Sequence, residues 1–307
     1  MKLFSGSANK RLAEKVAKEL GVELSRVETH VFPDGEKRIR ITESIVDEIC
    51  VIIQSASTPV DQNYMELFFI VDALKRNGAR KVVAVVPYFG YQRQDHVFRD
   101  GEAVSLEVVI KMIESVGVDH FVSFDLHSVK IPELFTIPVS HISALPTFAK
   151  KIKKMHVSLQ ETILVSPDKG GLRGIKIFSE LLGGTPYIVL NKQRDTLTGA
   201  VTYEELDKTT IANRKRAIIL DDMISSGSTI MPVAEMLAKH GIEEIDVFAT
   251  HAVFSENAPY ILQNSPLSMV CISDTVRVST TKRFEKLQIV SIAGEIAKEL
   301  MRINTNA

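Results

Sequence analysis

Residues 217–229 read AIILDDMISSGST, and the fold turns on how this stretch is interpreted. Ala217–Leu220 is a short unbroken apolar run, the mark of a strand buried on both faces. Two adjacent carboxylates follow, Asp221 and Asp222, then Ser225, Ser226, Gly227, Ser228 and Thr229. Thr229–His240 repeats apolar residues at helical spacing and stops at Gly241, with Pro232 in the first turn, where its missing N–H is not needed. A buried strand leading directly into a helix predicts a parallel sheet with crossover helices. In such sheets ligands bind at the carboxyl ends of the strands. The helix N-terminus favours an anion, the hydroxyls add donors, and Gly227 permits close approach. Paired carboxylates one step earlier suit the hydroxyls of a sugar. The chemistry that fits is a phosphorylated sugar.

The same alternation runs outward in both directions. Ile49–Gln54, Lys81–Pro87, Phe121–Phe124, Thr162–Val165, Tyr187–Leu190, Ile245–Ala249 and Ser268–Ile272 also read as buried strands. Between them lie helical stretches: one capped by Asn9 and stopped by Gly21, then Met65–Asn77 and Ala103–Val116, each followed by glycine. Each half holds a buried strand with an acidic tip, Asp125-Leu126-His127 in the first and Asp221-Asp222 in the second. The basic stretch Ala149–His156 is the natural boundary, giving domains 1–148 and 149–307. Ile292–Met301 has helical spacing and could pack on either domain.

Composition sets outer bounds. At 307 residues, two domains of roughly 150 residues each are expected. A net charge of −1 supplies no field to gather nucleic acid or an anionic membrane. Two distant cysteines, Cys50 and Cys271, make neither a disulfide framework nor a zinc site, and each reads as a buried small apolar residue. The opening MKLFSGSANK lacks a signal-peptide core, and no apolar run approaches the ~18 residues of a membrane span. A cytoplasmic protein is the expectation.

Five further segments bear on the chemistry. Phe32-Pro33-Asp34-Gly35-Glu36 sets an aromatic ring and two carboxylates on a turn signal. Tyr88-Phe89-Gly90-Tyr91-Gln92-Arg93-Gln94-Asp95 follows a strand, and its Arg93 can stack on a base or pair with phosphate, with Arg99 close by. His127 can ligate a metal or meet phosphates, with Asp125 to orient it. Ser166-Pro167-Asp168-Lys169-Gly170-Gly171 is neither a Walker loop nor a dinucleotide fingerprint. Its two glycines suit a pyrophosphate held by backbone N–H groups, and Asp168 suits Mg²⁺. Asn191-Lys192-Gln193-Arg194 reads on its own as a basic turn.

Residues 217–229 resemble the phosphoribosyl pyrophosphate loop of type I phosphoribosyltransferases. Together with the other five segments, the chain resembles the ribose-phosphate pyrophosphokinases over nearly its whole length. The resemblance implies two domains of type I phosphoribosyltransferase-like α/β fold, with MgATP and ribose 5-phosphate as substrates and MgATP across the domain interface. It implies that Phe32 stacks on adenine while Asp34 and Glu36 accept from its amino group beside Gly35. Arg93, Gln94, Asp95 and Arg99 then belong to a second ATP segment, and His127 meets both metal and ATP. Asp168 holds Mg²⁺, and Lys192 and Arg194 are catalytic, with Arg194 also on the sugar phosphate. Asp221, Asp222, Ser225, Ser226, Gly227, Ser228 and Thr229 bind ribose 5-phosphate. The resemblance also implies a homo-oligomer whose sites are shared across a dimer interface.

The chain departs from the pattern at two places. Ser225-Ser226 stands where many members have Asp-Thr, serine at the first position being a trait of the archaeal-type branch. The stretch 195–207, DTLTGAVTYEELD, lacks the Arg/Pro-rich character of bacterial and animal loops, so control by ADP and phosphate is not carried over. No side chain stands out as a general base, and His251 reads as structural. Two alternatives compete. A phosphoribosyltransferase leaves Phe32–Glu36 and Tyr91–Asp95 unexplained, and a non-catalytic regulatory subunit should have lost Lys192, Arg194, His127 and Asp168.

Overall fold

Runs of four or five apolar residues become parallel strands because burial on both faces leaves no room for polar alternation. In a computed structural model, all residues are described except 195–200, 204–208, 210, 256 and 306–307. The chain divides into two compact units, Met1–Ser143 with Thr275–Arg277 and Ser291–Ala307, and Ala144–Asp274 with Val278–Val290.

The first unit contains β1 (Lys2–Ser5), α1 (Lys10–Leu20), β2 (Val27–Val31), β3 (Lys37–Ile41), β4 (Ile49–Ile53), α2 (Val60–Arg76), β5 (Lys81–Val85), α3 (Ser105–Ser115), β6 (His120–Phe124) and β7 (Val139–Ile142). Its five-stranded sheet runs β1-β4-β5-β6-β7, every pair parallel. Strands β2 and β3 form a separate antiparallel hairpin. Asn9 caps α1 through Leu12 N, and Gly21 closes it at φ +67°. The chain's closing helix, Ala293–Thr305, packs against α1. Helix α2 starts at Val60, five residues before the predicted Met65. Its polar first turn hides the apolar period, because Asn63 is buried with its amide bonded to Ser57 O at 2.7 Å.

The second unit contains α4 (Leu145–Lys154), β8 (Thr162–Ser166), α5 (Leu172–Leu181), β9 (Tyr187–Val189), β10 (Lys192–Arg194), β11 (Val201–Tyr203), β12 (Arg216–Ile224), α6 (Ile230–Lys239), β13 (Glu244–Ala252), α7 (Ala258–Gln263), β14 (Met269–Ser273) and β15 (Leu287–Val290). Six parallel strands lie in the order β15-β14-β13-β12-β8-β9, and β10 pairs antiparallel with β11. The basic stretch expected to be a boundary is the end of α4. That helix buries Leu145, Phe148, Ala149 and Ile152 and sets Lys151, Lys153 and Lys154 in its last turn, where the helix dipole favours cations. Cys50 and Cys271 are buried thiols, pushed up to about 11 and about 12 by burial. Among the described residues no helix is long and apolar enough to cross a membrane.

One buried ion pair holds the β2–β3 hairpin to α2. Glu66, 2% exposed, accepts from Lys37 Nζ at 2.7 Å and from both Ser7 N and Ser7 Oγ at 2.7 Å. Removing the carboxylate strands these donors, so Glu66→Ala is expected to destabilise the protein by about 3–5 kcal/mol. Glu66→Gln, which retains an acceptor for Ser7, is expected to cost about half as much. Urea unfolding of both variants measures this: equal losses would show that the charge of Glu66 accounts for the whole effect, and a Glu66→Gln variant as stable as wild type would show that the ion pair itself contributes nothing.

Candidate active site

The Phe32–Glu36 segment is the tip of the β2–β3 hairpin. Phe32 N donates to Glu36 O at 2.8 Å, Gly35 N to Phe32 O at 2.9 Å, and Glu36 N to Asp34 Oδ1 at 3.1 Å. The turn therefore holds its own shape. Phe32 is 36% exposed, with His30 edge-on at 4.7 Å and the Arg38 guanidinium 5.7 Å from its ring centre. A large ring left this open in a polar turn is available for stacking.

The second segment hangs from an aromatic core. Phe89 packs on Phe121 at 4.9 Å, and Phe121 stacks on Phe135 at 4.7 Å. Gly90 passes so close to the start of α2 that a Cβ would lie 2.9 Å from Val60 Cγ1 and 2.6 Å from Ala56 O in the preceding loop. Tyr64 Oη donates to Gly90 O at 2.8 Å. Tyr91 then adopts φ +65°, which turns the chain outward, and its hydroxyl bonds to Asp61. Gln92 is buried, and its Oε1 accepts from His127 N at 2.9 Å. This one bond ties the second segment to the Asp125-Leu126-His127 turn. Arg93, Gln94, Arg99 and His127 are exposed; Asp95 is half-buried and bonds His96 Nδ1 at 2.7 Å. Asp125 sits at the end of β6 with φ +31°.

In the second unit, β12 does not end at Leu220 as expected. Its pairing with β13 continues through Asp221↔Ala249 and Met223↔His251 to Ile224↔Ala252, so both carboxylates belong to the strand. Pairing with β8 stops at Ile219. Asp221 and Asp222 therefore stand where β12 has lost one neighbour, and the loop after β8 brings Asp168 beside them. Burial first, then the charge of Asp222 and a weaker one from Asp168, push the Asp221 carboxyl well up. His251 is fully buried in β13.

The loop after β12 is pinned at both ends. Ser225 Oγ bonds Ser255 Oγ at 2.9 Å, and Ser226 Oγ donates to Ser228 Oγ at 3.1 Å. Gly227 takes φ +89°, and its O accepts from Met231 N at 2.9 Å. An added Cβ there would meet nothing closer than 3.9 Å, so the backbone angle, not room for a phosphate, requires glycine. Thr229 opens α6 without a side-chain cap, which leaves that role at the helix N-terminus to other groups.

The Ser166–Gly171 segment differs from expectation in one respect. Asp168 Oδ1 accepts from Gly170 N at 2.9 Å and Gly171 N at 3.3 Å. The amides predicted to hold pyrophosphate are already occupied by this carboxylate, which satisfies the start of the turn. The second carboxylate oxygen is the one suited to a metal. Lys192 and Arg194 lie on β10, in register with Tyr203 and Val201. Of the stretch 195–207, only Val201–Tyr203 falls among the described residues.

Two residues here carry no motif. Ser255 left no sequence signal. Tyr203 did leave one, an aromatic in a polar stretch: its hydroxyl donates to Thr229 O at 3.2 Å and is pushed up to about 12, mainly by burial and then by Asp168 and Asp221. A phenol so raised stays a donor at any ordinary pH.

The raised Asp221 carboxyl has a consequence for stability. Its neutral form is favoured in the folded state, so ionisation at pH 7 costs stability that is regained as pH falls towards the unfolded value. Asp221→Asn is therefore expected to raise the melting temperature of the ligand-free protein at about pH 7, with the gain shrinking near pH 4. Thermal unfolding followed by circular dichroism at the two pH values measures it; a variant less stable than wild type at both would show that the carboxylate is stabilised by its surroundings.

Comparison with known proteins gives the family. The sequence profile of the N-terminal domain of ribose phosphate pyrophosphokinase matches residues 1–117, and that of the phosphoribosyl synthetase-associated domain matches residues 209–307. Ribose-phosphate pyrophosphokinase 1 of Streptococcus pyogenes is 35% identical over 304 residues, spanning 99% of this chain and 94% of that protein. The Fusobacterium nucleatum ribose-phosphate pyrophosphokinase is 34% identical over 306 residues, spanning 100% of this chain and 96% of its own length. The crystal structure of phosphoribosylpyrophosphate synthetase from Mycobacterium smegmatis superposes with a TM-score of 0.89 at 32% identity, covering 100% of this chain and 99% of that one. With relatives of this similarity matched from end to end, the chain belongs to the ribose-phosphate pyrophosphokinase family.

Proposed function

We propose that the protein transfers the pyrophosphoryl group of MgATP to the C1 hydroxyl of ribose 5-phosphate, giving phosphoribosyl pyrophosphate and AMP. The observation that carries this reading is the strand β12, which carries paired carboxylates near its end and runs into a hydroxyl-rich loop opening a helix. Asp221 and Asp222 would accept from the sugar hydroxyls. Ser225, Ser226, Gly227, Ser228 and Thr229 would hold the 5-phosphate with backbone and hydroxyl donors. In the first unit, the open ring of Phe32 offers a stacking face for adenine, and Asp34 and Glu36 lie in the same turn as acceptors for its amino group. Arg93, Gln94, Asp95, Arg99 and His127 would contact the rest of ATP.

The C1 hydroxyl attacks the β-phosphorus, the bond from that phosphorus to the α-phosphate oxygen breaks, and AMP leaves. Such transfers ask the protein mainly for positioning and charge neutralisation. Lys192 and Arg194 supply the positive charge. The charges of Asp222 and Asp168 act on Asp221, but among the described residues no three such side chains gather closely enough to hold a metal by themselves, so a hard divalent cation here would be completed by water and phosphate oxygens. Asp168 would hold Mg²⁺ there; when bound, Mg²⁺ would neutralise charge on the transferred phosphates.

The first test is direct: wild-type protein incubated with MgATP and ribose 5-phosphate releases AMP, and absence of AMP refutes the reading. Lys192→Ala is expected to lower kcat by about 10²-fold or more while leaving the KM for ATP nearly unchanged, because its charge is needed where charge develops. A loss confined to KM would reassign Lys192 to substrate binding.

A homo-oligomer with shared sites is part of this proposal. Val31 and Phe32, both exposed at the hairpin tip, are apolar surface suited to cover by a second subunit. Complementation tests it by mixing Phe32→Ala/Glu36→Ala chains with Lys192→Ala chains. If each site draws the two segments from different subunits, half of a randomly exchanged dimer population holds one intact site. Activity near roughly one quarter of wild type then returns. No recovery after confirmed subunit exchange would place both segments of a site on one chain.

A further inference from the structure

Tyr203 belongs to none of the motifs above and lies outside both stretches matched by the family profiles. Three features of its surroundings point the same way. Its backbone pairs with Lys192 in the β10–β11 ladder, with Gln193↔Thr202 and Arg194↔Val201 completing the register. Its hydroxyl donates to the carbonyl of Thr229, the residue that ends the hydroxyl-rich loop and opens α6. Its ring is half-buried against the second unit's apolar core, and β11 lies against α6.

We propose that Tyr203 is a positioning residue, joining the strand that carries Lys192 and Arg194 to the end of the sugar-phosphate loop. The proposal rests on the pyrophosphokinase reading for its kinetic consequence but not for its structural one. Three residue pairs of an antiparallel ladder are too few to hold a hairpin in water by themselves. The hairpin needs an anchor elsewhere, and Tyr203 provides two: an apolar one through its ring and a directional one through its hydroxyl. The directional bond ends on the backbone of the loop, so it sets the height of β11 along α6. Through the ladder it sets β10 as well. A transfer that depends on positioned charge is sensitive to displacements of about 1 Å.

The two anchors separate experimentally. Tyr203→Phe keeps the ring and removes the bond. In the full-length protein it is expected to lower kcat about 5- to 10-fold, the effect of one net hydrogen bond. The melting temperature and the KM for ATP should stay at wild-type values. In a Lys192→Ala background the same change should add little further loss, because the tyrosine acts through the strand that the lysine occupies. A wild-type kcat for Tyr203→Phe, or losses that simply multiply in the double variant, would overturn the proposal. Amide hydrogen exchange gives a readout independent of turnover: peptides covering 192–203 should exchange faster in Tyr203→Phe, with peptides from β8 and β13 unchanged. Unaltered exchange in 192–203 would overturn the anchor whether or not the wild type releases AMP. AMP release by the wild type separately decides the pyrophosphokinase reading.

Discussion

The second unit is organised by a mismatch in strand length. Strand β12 is paired on both sides as far as Ile219, then continues to Ile224 with β13 alone. The step this creates at the sheet's carboxyl end is where Asp221 and Asp222 stand. Held in a ladder, two adjacent carboxylates cannot both turn to water, and burial drives the Asp221 carboxyl upward. At the opposite end of the strand, Arg216 pairs with Glu244 and with Asp246, which is buried. Burial alone would raise the Asp246 carboxyl further, and Arg216 pulls it back part of the way. The strand thus has an ion-paired base and an acidic tip, an arrangement suited to receiving a cation or donors from a substrate.

Two of the backbone angles that L-residues avoid fall in the proposed substrate segments. In the first unit Tyr91 at φ +65° and Asp125 at φ +31° occupy turns that leave β5 and β6 towards solvent. Each is backed by rigid packing: Phe89 against Phe121 and Phe135, Gly90 against α2, and Gln92 across to His127. Strain of about 1–3 kcal/mol per residue persists only where the surroundings over-determine the conformation. In the second unit Gly227 takes its positive angle without strain, which lets the loop turn sharply into α6.

Much of this was legible in the sequence because burial on two faces leaves a plain signature. The central strands β4, β5, β6, β8 and β14 are apolar runs whose expected bounds lie within two residues of those observed, whereas β12 and β13 continue to Ile224 and Ala252, past the expected Leu220 and Ala249. The short strands β1, β7 and β15, and the hairpins β2–β3 and β10–β11, were not read. They lie at sheet edges or outside the sheets, where one face or both meet water and the pattern dissolves into ordinary polar sequence. The KKIKK stretch misled for the opposite reason, since its lysines conceal the helical spacing of Phe148, Ala149 and Ile152. The carboxylates of Asp221 and Asp222 were found as a pair at a strand end, but how far the strand ran was not visible, because that depends on where β13 continues.

By itself the sequence determined the parallel α/β architecture, the central strands of both sheets and the segments that carry carboxylates, hydroxyls and bases. Each of these follows from constraints within a few consecutive residues: apolar continuity, helical period, a cap, a turn. Only the tertiary structure decided which groups meet. Gln92 reaches His127 from 35 residues away, and Tyr203 reaches Thr229 across 26. Contacts between residues so far apart impose no local periodicity on either partner, and a half-buried tyrosine or glutamine looks the same in sequence whether or not another segment waits to receive it.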